Sequence, residues 1–174
     1  DITSSEGCRS IALDTSDNIY CGGNTSGNLN DTNAGGVTTP FVMKLNSSGT
    51  LQWLTHIGTA AASASTEIDA INGGDFCRSI AVDASSNVYC AGDTGSSLND
   101  IVGGANGSGN DLFVLKLNTS GELQWLKHLG TAADTASTEI DSVTGYETLL
   151  GISVDTNGYV YAAGQTDGGL NDTN

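Results

Sequence analysis

Residues 8–25 read CRSIALDTSDNIYCGGNT, and residues 77–94 read CRSIAVDASSNVYCAGDT. A third version, LLGISVDTNGYVYAAGQT at 149–166, keeps the pattern and drops both cysteines. Asp14 and Asp83 lie 69 residues apart, whereas Trp53 and Trp125, like Asp83 and Asp155, lie 72 apart. The longer spacing reflects three residues inserted within 101–112 of the second unit. The chain is therefore one repeat region, 1–174, with complete units at about 7–75 and 76–147 and a half unit at 148–174. Its closing GGLNDTN matches GNLNDTN at 27–33, so the third unit stops midway and the expectation is a fragment of a larger assembly. A fold built this way stacks equivalent units, each burying what its neighbour leaves open.

Within the second unit, four short strands are expected at 78–83, 87–92, 112–118 and 123–129. DASSN joins the first pair and TSG the second, both short connections rich in turn residues. The third and fourth strands are apolar on both faces, as in a sheet covered on each side. Four antiparallel strands per unit, stacked face to face, describe an all-β fold of β-propeller blades. A β-solenoid also stacks repeats, but its rungs are shorter, parallel and free of tight hairpins.

SIAVDASSNVYCAGDT followed by DLFVLKLNTSGELQWLKHLGT resembles the bacterial SBBP-type β-propeller repeat over most of 8–57, 77–130 and 149–166. The resemblance implies a propeller fold and a secreted or surface location; it implies no reaction. Units of that family run closer to fifty residues, and the excess here lies at 26–40 and 60–76 and in their counterparts.

Glycine contributes 24 residues and proline one, suiting short strands joined by glycine turns. Twenty acidic residues face five basic ones, a net charge of −15. That balance argues against nucleic acid, whose binding needs phosphates neutralised by Lys and Arg. It argues equally against anionic membranes, and no apolar run reaches the roughly 18 residues that a span requires. The acidity, the scarcity of lysine and the Asn/Ser/Thr/Gly-rich composition point to an extracellular or cell-surface protein. Sequons at Asn24, Asn30, Asn46, Asn106, Asn118 and Asn171 are available to N-glycans in a suitable host.

Cys8 and Cys21 recur as Cys77 and Cys90 and are replaced together by Leu149 and Ala162. Two readings stay open: a disulfide within each hairpin, or buried thiols that pack as small hydrophobes. With the turn at 15–18, Cys21 faces Ala12, and Cys8 lies about 13 Å away at ~3.3 Å per residue. A disulfide needs Cα atoms within about 7 Å.

Few residues invite chemistry. His56 and His128 occupy equivalent positions after Trp53 and Trp125, so they lie one blade apart and read as structural, with the tryptophans as inter-blade core. STEID recurs at 65–69 and 137–141 in the long inter-blade connections. Its Glu67, Asp69, Glu139 and Asp141 are the weak candidates for calcium, being carboxylates of the kind hard cations take; the competing reading is a helical capping turn. The recurring Asn30–Asp31, Asn99–Asp100 and Asn171–Asp172 suit an Asx-turn. Asp14, Asp83 and Asp155 close the first strand and are expected to accept backbone N–H groups in the hairpin.

No nucleophile–base set stands out from the repeat, and no cofactor is required. The reading is a non-enzymatic propeller module, structural or adhesive. Its expected partners are further blades or copies of itself, and surface glycans or proteins. A lectin with one site per blade is the alternative, and a fragment of a propeller hydrolase or lyase the second. Recognition is expected on the loops at 60–76 and 132–148.

Overall fold

The computed structural model describes residues 5–27, 29, 38–57, 70–71, 74–95, 97–98, 110–129 and 147–166. Every regular element among them is a strand. The first blade contains β1 (Glu6–Leu13), β2 (Ile19–Thr25), β3 (Thr39–Leu45) and β4 (Leu51–His56), paired antiparallel in chain order. The second repeats this with β6 (Phe76–Val82), β7 (Val88–Thr94), β9 (Asp111–Leu117) and β10 (Leu123–Leu129). Two-residue strands β5 (Ala70–Ile71) and β8 (Ser97–Leu98) pair outside the blades. The third unit supplies the hairpin β11 (Glu147–Val154) and β12 (Val160–Thr166). The expected strands are all present, with bounds shifted by one or two residues.

Each first strand carries a bulge. Ile11 faces Cys21 and Ser10 faces Gly22, but Cys8 faces Gly23, leaving Arg9 outside the ladder. Arg78 and Leu150 are bulged in the same way. Opposite each bulge stands a glycine, and the reason is steric. A Cβ on Gly23, Gly92 or Gly164 would run into the carbonyl oxygen of Gly7, Phe76 or Thr148, respectively. Only glycine lets the backbone approach so closely.

Alternation along the strands gives each blade two different faces. Toward the second blade, the first presents Tyr20, Val42, Trp53 and Ala12. The second meets it with Cys77, Ile80, Val88, Cys90, Phe113, Leu115 and Leu117, which complete one continuous core. A second core joins Ala91, Leu112, Val114 and Trp125 to Leu149, Ile152 and Val160 of the third unit. The first strands lie side by side, β6 against β1 and β11 against β6, as successive propeller blades require.

Hydrogen bonds fix the first junction along its length. Ile80 N donates to Ser10 Oγ at 3.1 Å. Trp53 Nε1 donates to Thr119 O at 2.9 Å, and Thr55 Oγ1 to Gly121 O at 2.7 Å. Asp75 N reaches Thr38 O at 3.3 Å, and its counterpart Glu147 N reaches Asn110 O at 3.1 Å. Both tryptophans are partly buried and pack against these cores, and each meets a tyrosine of its own blade edge-on: Tyr20–Trp53 at 6.1 Å and Tyr89–Trp125 at 6.0 Å.

The paired cysteines are bonded within their hairpins, Cys8 to Cys21 and Cys77 to Cys90, each with Cα atoms 5.9 Å apart. The expected separation of about 13 Å along an ideal strand is therefore wrong. Cys21 sits opposite Ile11 rather than Ala12, and the bulged Arg9 removes one more step. Cys8 thus becomes a diagonal neighbour of Cys21 on the same face.

Candidate functional site

The polar centre of each blade is the aspartate that ends the first strand. Asp14 Oδ1 accepts from Ser16 N at 2.9 Å and Asn18 N at 3.0 Å. Its Oδ2 accepts from Asn18 Nδ2 at 2.8 Å and Tyr20 OH at 3.0 Å. Asp83 repeats the set with Ser85, Asn87 and Tyr89. Asp155 keeps Asn157 N, Tyr159 N and Tyr161 OH. A short polar side chain two residues before these amides is what folds such a turn. Lys44 and Lys116 stand 3.9 and 3.6 Å from Asp14 and Asp83, and each ammonium lies over the ring of the neighbouring tyrosine.

These contacts set the protonation states. Burial alone would raise the carboxyl pKa of Asp14 and Asp83, but the donated hydrogen bonds, led by those of Asn18 and Asn87, outweigh it and hold both low. Burial pushes the Tyr20 hydroxyl up. The hydrogen bond to Tyr89 raises the Lys116 ammonium.

A second cluster had no forecast from the sequence. Asp93 is fully buried, held by Arg78 through Nε and, at 3.0 Å, through Nη2, and by Asn110 Nδ2 at 3.0 Å. The Arg78 guanidinium is raised by that bond to Asp93. In the first blade Arg9 Nε donates instead to Asn24 Oδ1 at 2.5 Å. Both guanidiniums lie against the ring of Phe76, at 5.2 Å for Arg9 and 4.8 Å for Arg78. Nearby, Thr94 Oγ1 donates to the buried Asp75 at 2.6 Å, and Thr166 Oγ1 to the buried Glu147 at 2.9 Å. The signal was present in the sequence: four of only five basic residues, Arg9, Arg78, Lys44 and Lys116, occupy just two repeat positions.

The remaining candidates divide by location. Glu67, Asp69, Glu139 and Asp141 lie outside the described residues, as do the Asn-Asp pairs and most of both long connections. Among the described residues no group of three or more His, Cys, Asp or Glu side chains is placed to hold a metal ion. His56 is bound through Nε2 to Leu29 O at 3.1 Å, tying a loop to β4. Asn24, the first of the sequon asparagines, is buried and accepts from Arg9 through Oδ1. Asn46 and Asn118 are the Asx residues of the β3–β4 and β9–β10 turns, their Oδ1 atoms each accepting two backbone N–H groups.

Antiparallel four-stranded sheets, joined by tight hairpins and packed face to face at equivalent positions, are blades of a β-propeller. The family model of the SBBP β-propeller repeat matches residues 8–30 and 52–99, so these segments are similar to that repeat. No curated protein matches the chain. Among the described residues no helix is long and apolar enough to cross a membrane.

Proposed function

We propose that the chain is a non-enzymatic β-propeller module, structural or adhesive, working outside the cell or at its surface. One observation carries this reading: the turn aspartates Asp14, Asp83 and Asp155 recur blade by blade, each holding its hairpin, and the buried Asp93 of the second blade is engaged by its neighbours. Asp14 and Asp83 are occupied by donors of their own hairpins, Asp14 also by Ser86 of the next blade, and Asp93 by Arg78 and Asn110. Catalysis needs a group left available to a substrate, with a base or acid in reach. The two hairpin disulfides support an oxidising compartment.

Protease shaving of intact producing cells, with intact-mass analysis after denaturing, non-reducing alkylation, tests the proposal. Protein released from the surface or found in the medium, with no alkyl group added, is the expected result. A wholly cytosolic protein that takes up four alkyl groups overturns the location. Glycan-array binding that grows with blade number would replace the structural role by that of a lectin.

A further inference from the structure

The first junction and the second differ at two positions that touch. In the first, a Cβ on Gly22 of β2 would lie 2.8 Å from Cys77 Sγ and would also strike Ile80 Cγ2. The counterpart of Gly22 in the second blade is Ala91, fully buried, which packs with Leu149 and Ile152 of the third unit. Ile152 replaces Ile80 like for like, and an alanine is tolerated before it. The isoleucine alone therefore does not demand a glycine. What distinguishes the junctions is the bonded cysteine pair in one and Leu149 with Ala162 in the other. Glycine precedes the disulfide; alanine precedes its apolar substitute.

We propose that this contact is a matching device that decides which unit can follow which. The device specifies the partner of each open face. The first blade carries Cys8–Cys21 on the face equivalent to that of Cys77–Cys90, and there Ile11 is 66% exposed. That face takes a repeat of the same family with glycine at the position of Gly22. The third unit presents Ala163 at that position, so its open face takes a repeat without the cysteine pair. A second copy of this chain does not fit, because its Ala163 would meet Cys8 as a Cβ on Gly22 would meet Cys77. Tight packing makes such mismatches felt, and a clash against the wrong neighbour is how specificity is commonly built.

A double-mutant cycle on the full chain, read as thermal midpoints, tests the contact. Gly22→Ala is expected to lower the midpoint by roughly 5 °C. In the background of Cys77→Leu with Cys90→Ala, the same change is expected to have little effect. Equal losses in both backgrounds overturn the proposal. If the cysteine-free background does not fold, the mirror cycle decides: Leu149→Cys with Ala162→Cys should lower the midpoint unless Ala91→Gly accompanies it, and an Ala91→Gly that brings no relief overturns the proposal. For the open face, a copy of residues 1–75 joined ahead of residue 7 should slow reduction of Cys8–Cys21 by dithiothreitol at least tenfold. A copy of 76–147 placed there should do so only as Ala91→Gly; equal protection by both copies refutes the device.

Discussion

Ser86, in the hairpin turn of the second blade, donates its hydroxyl to the Asp14 carboxylate of the first at 3.1 Å. The bond is made from a backbone that a serine adopts reluctantly, with φ at 62°. The third unit has Gly158 at the same position, at φ 85°, and no hydroxyl to offer Asp83. Left-handed backbone costs a non-glycine residue about 1 kcal/mol, while a hydrogen bond to a buried charge contributes about 2 kcal/mol. The second term is the larger, so serine at this position stabilises on balance. Ser86→Ala loses the bond and keeps the backbone cost, so urea unfolding should show a loss of about 2 kcal/mol. Ser86→Gly loses the bond but relieves the backbone, and should lose only about half as much. A glycine variant less stable than the alanine variant would contradict this assignment.

Acid should unfold the blades through Asp14 and Asp83. Both carboxyls are held below their ordinary 3.8, so the unfolded chain takes up protons that the folded chain refuses. Their stabilisation is complete above pH 3.8 and declines as pH falls from there towards the folded values. Two such groups give a slope approaching 2.7 kcal/mol per pH unit at about 25 °C. Denaturant midpoints between pH 7 and pH 2 should be flat above about pH 5 and steep below about pH 4. Asp83→Asn should be less stable at pH 7 and should remove about half of that slope. An unchanged slope in the variant would show that other carboxylates govern acid unfolding.

Much of this architecture was legible because repetition states what a single unit leaves ambiguous. The strands, the hairpins and the turn aspartates followed from Asp14, Asp83 and Asp155 lying before equivalent turns. The register of the first strand did not follow, since a bulge depends on how two backbones meet. Arg9, Arg78 and Leu150 share no chemistry that marks them as bulged. The trace lay on the opposite strand, where Gly23, Gly92 and Gly164 hold one position in every unit. A glycine kept inside a strand marks a close approach, and read that way it would have brought Cys8 to Cys21.

Those glycines are accordingly expected to be intolerant. Gly92→Ala forces a Cβ against the Phe76 carbonyl and to 3.0 Å from Phe113 Cζ, neither of which can retreat inside the core. Its cost should reach about 3 kcal/mol, seen as a fall in thermal midpoint of several degrees. Gly7→Ala, whose Cβ would meet nothing within 4 Å, is the control and should change little. Similar losses in both variants would point to strand flexibility, not the bulge, as the reason for glycine.

The two clusters around Asp93 and Asp75 were less legible, because each unit varies the partners. Arg78 with Asp93 becomes Arg9 with Asn24 in the first unit and Leu150 with Gln165 in the third. The arginine keeps a polar acceptor whether that acceptor is charged or neutral, and both change where the arginine is lost, which only the fold reveals as contact. The open faces follow the same logic. Ile11 and Ile80 are one repeat position, yet Ile11 is 66% exposed and Ile80 6%.

That contrast gives the last prediction. Ile80 packs into the junction core beside Cys77 and Cys90, so Ile80→Thr buries a hydroxyl and removes a methyl group there. A loss of about 2–3 kcal/mol is expected from the lost apolar contact and the poorly bonded hydroxyl. Ile11→Thr exchanges one β-branched side chain for another on a solvated strand, and the chain should lose about 0.5 kcal/mol or less. Joining a copy of residues 1–75 ahead of residue 7 should abolish that tolerance, since Ile11 then stands where Ile80 does. Denaturant unfolding of the four proteins, the two variants in the 174-residue chain and in the extended one, makes the comparison. Ile11→Thr becoming as costly as Ile80→Thr in the extended chain is the expected outcome. If it stays neutral there, the exposed face of β1 is not a blade junction awaiting its neighbour.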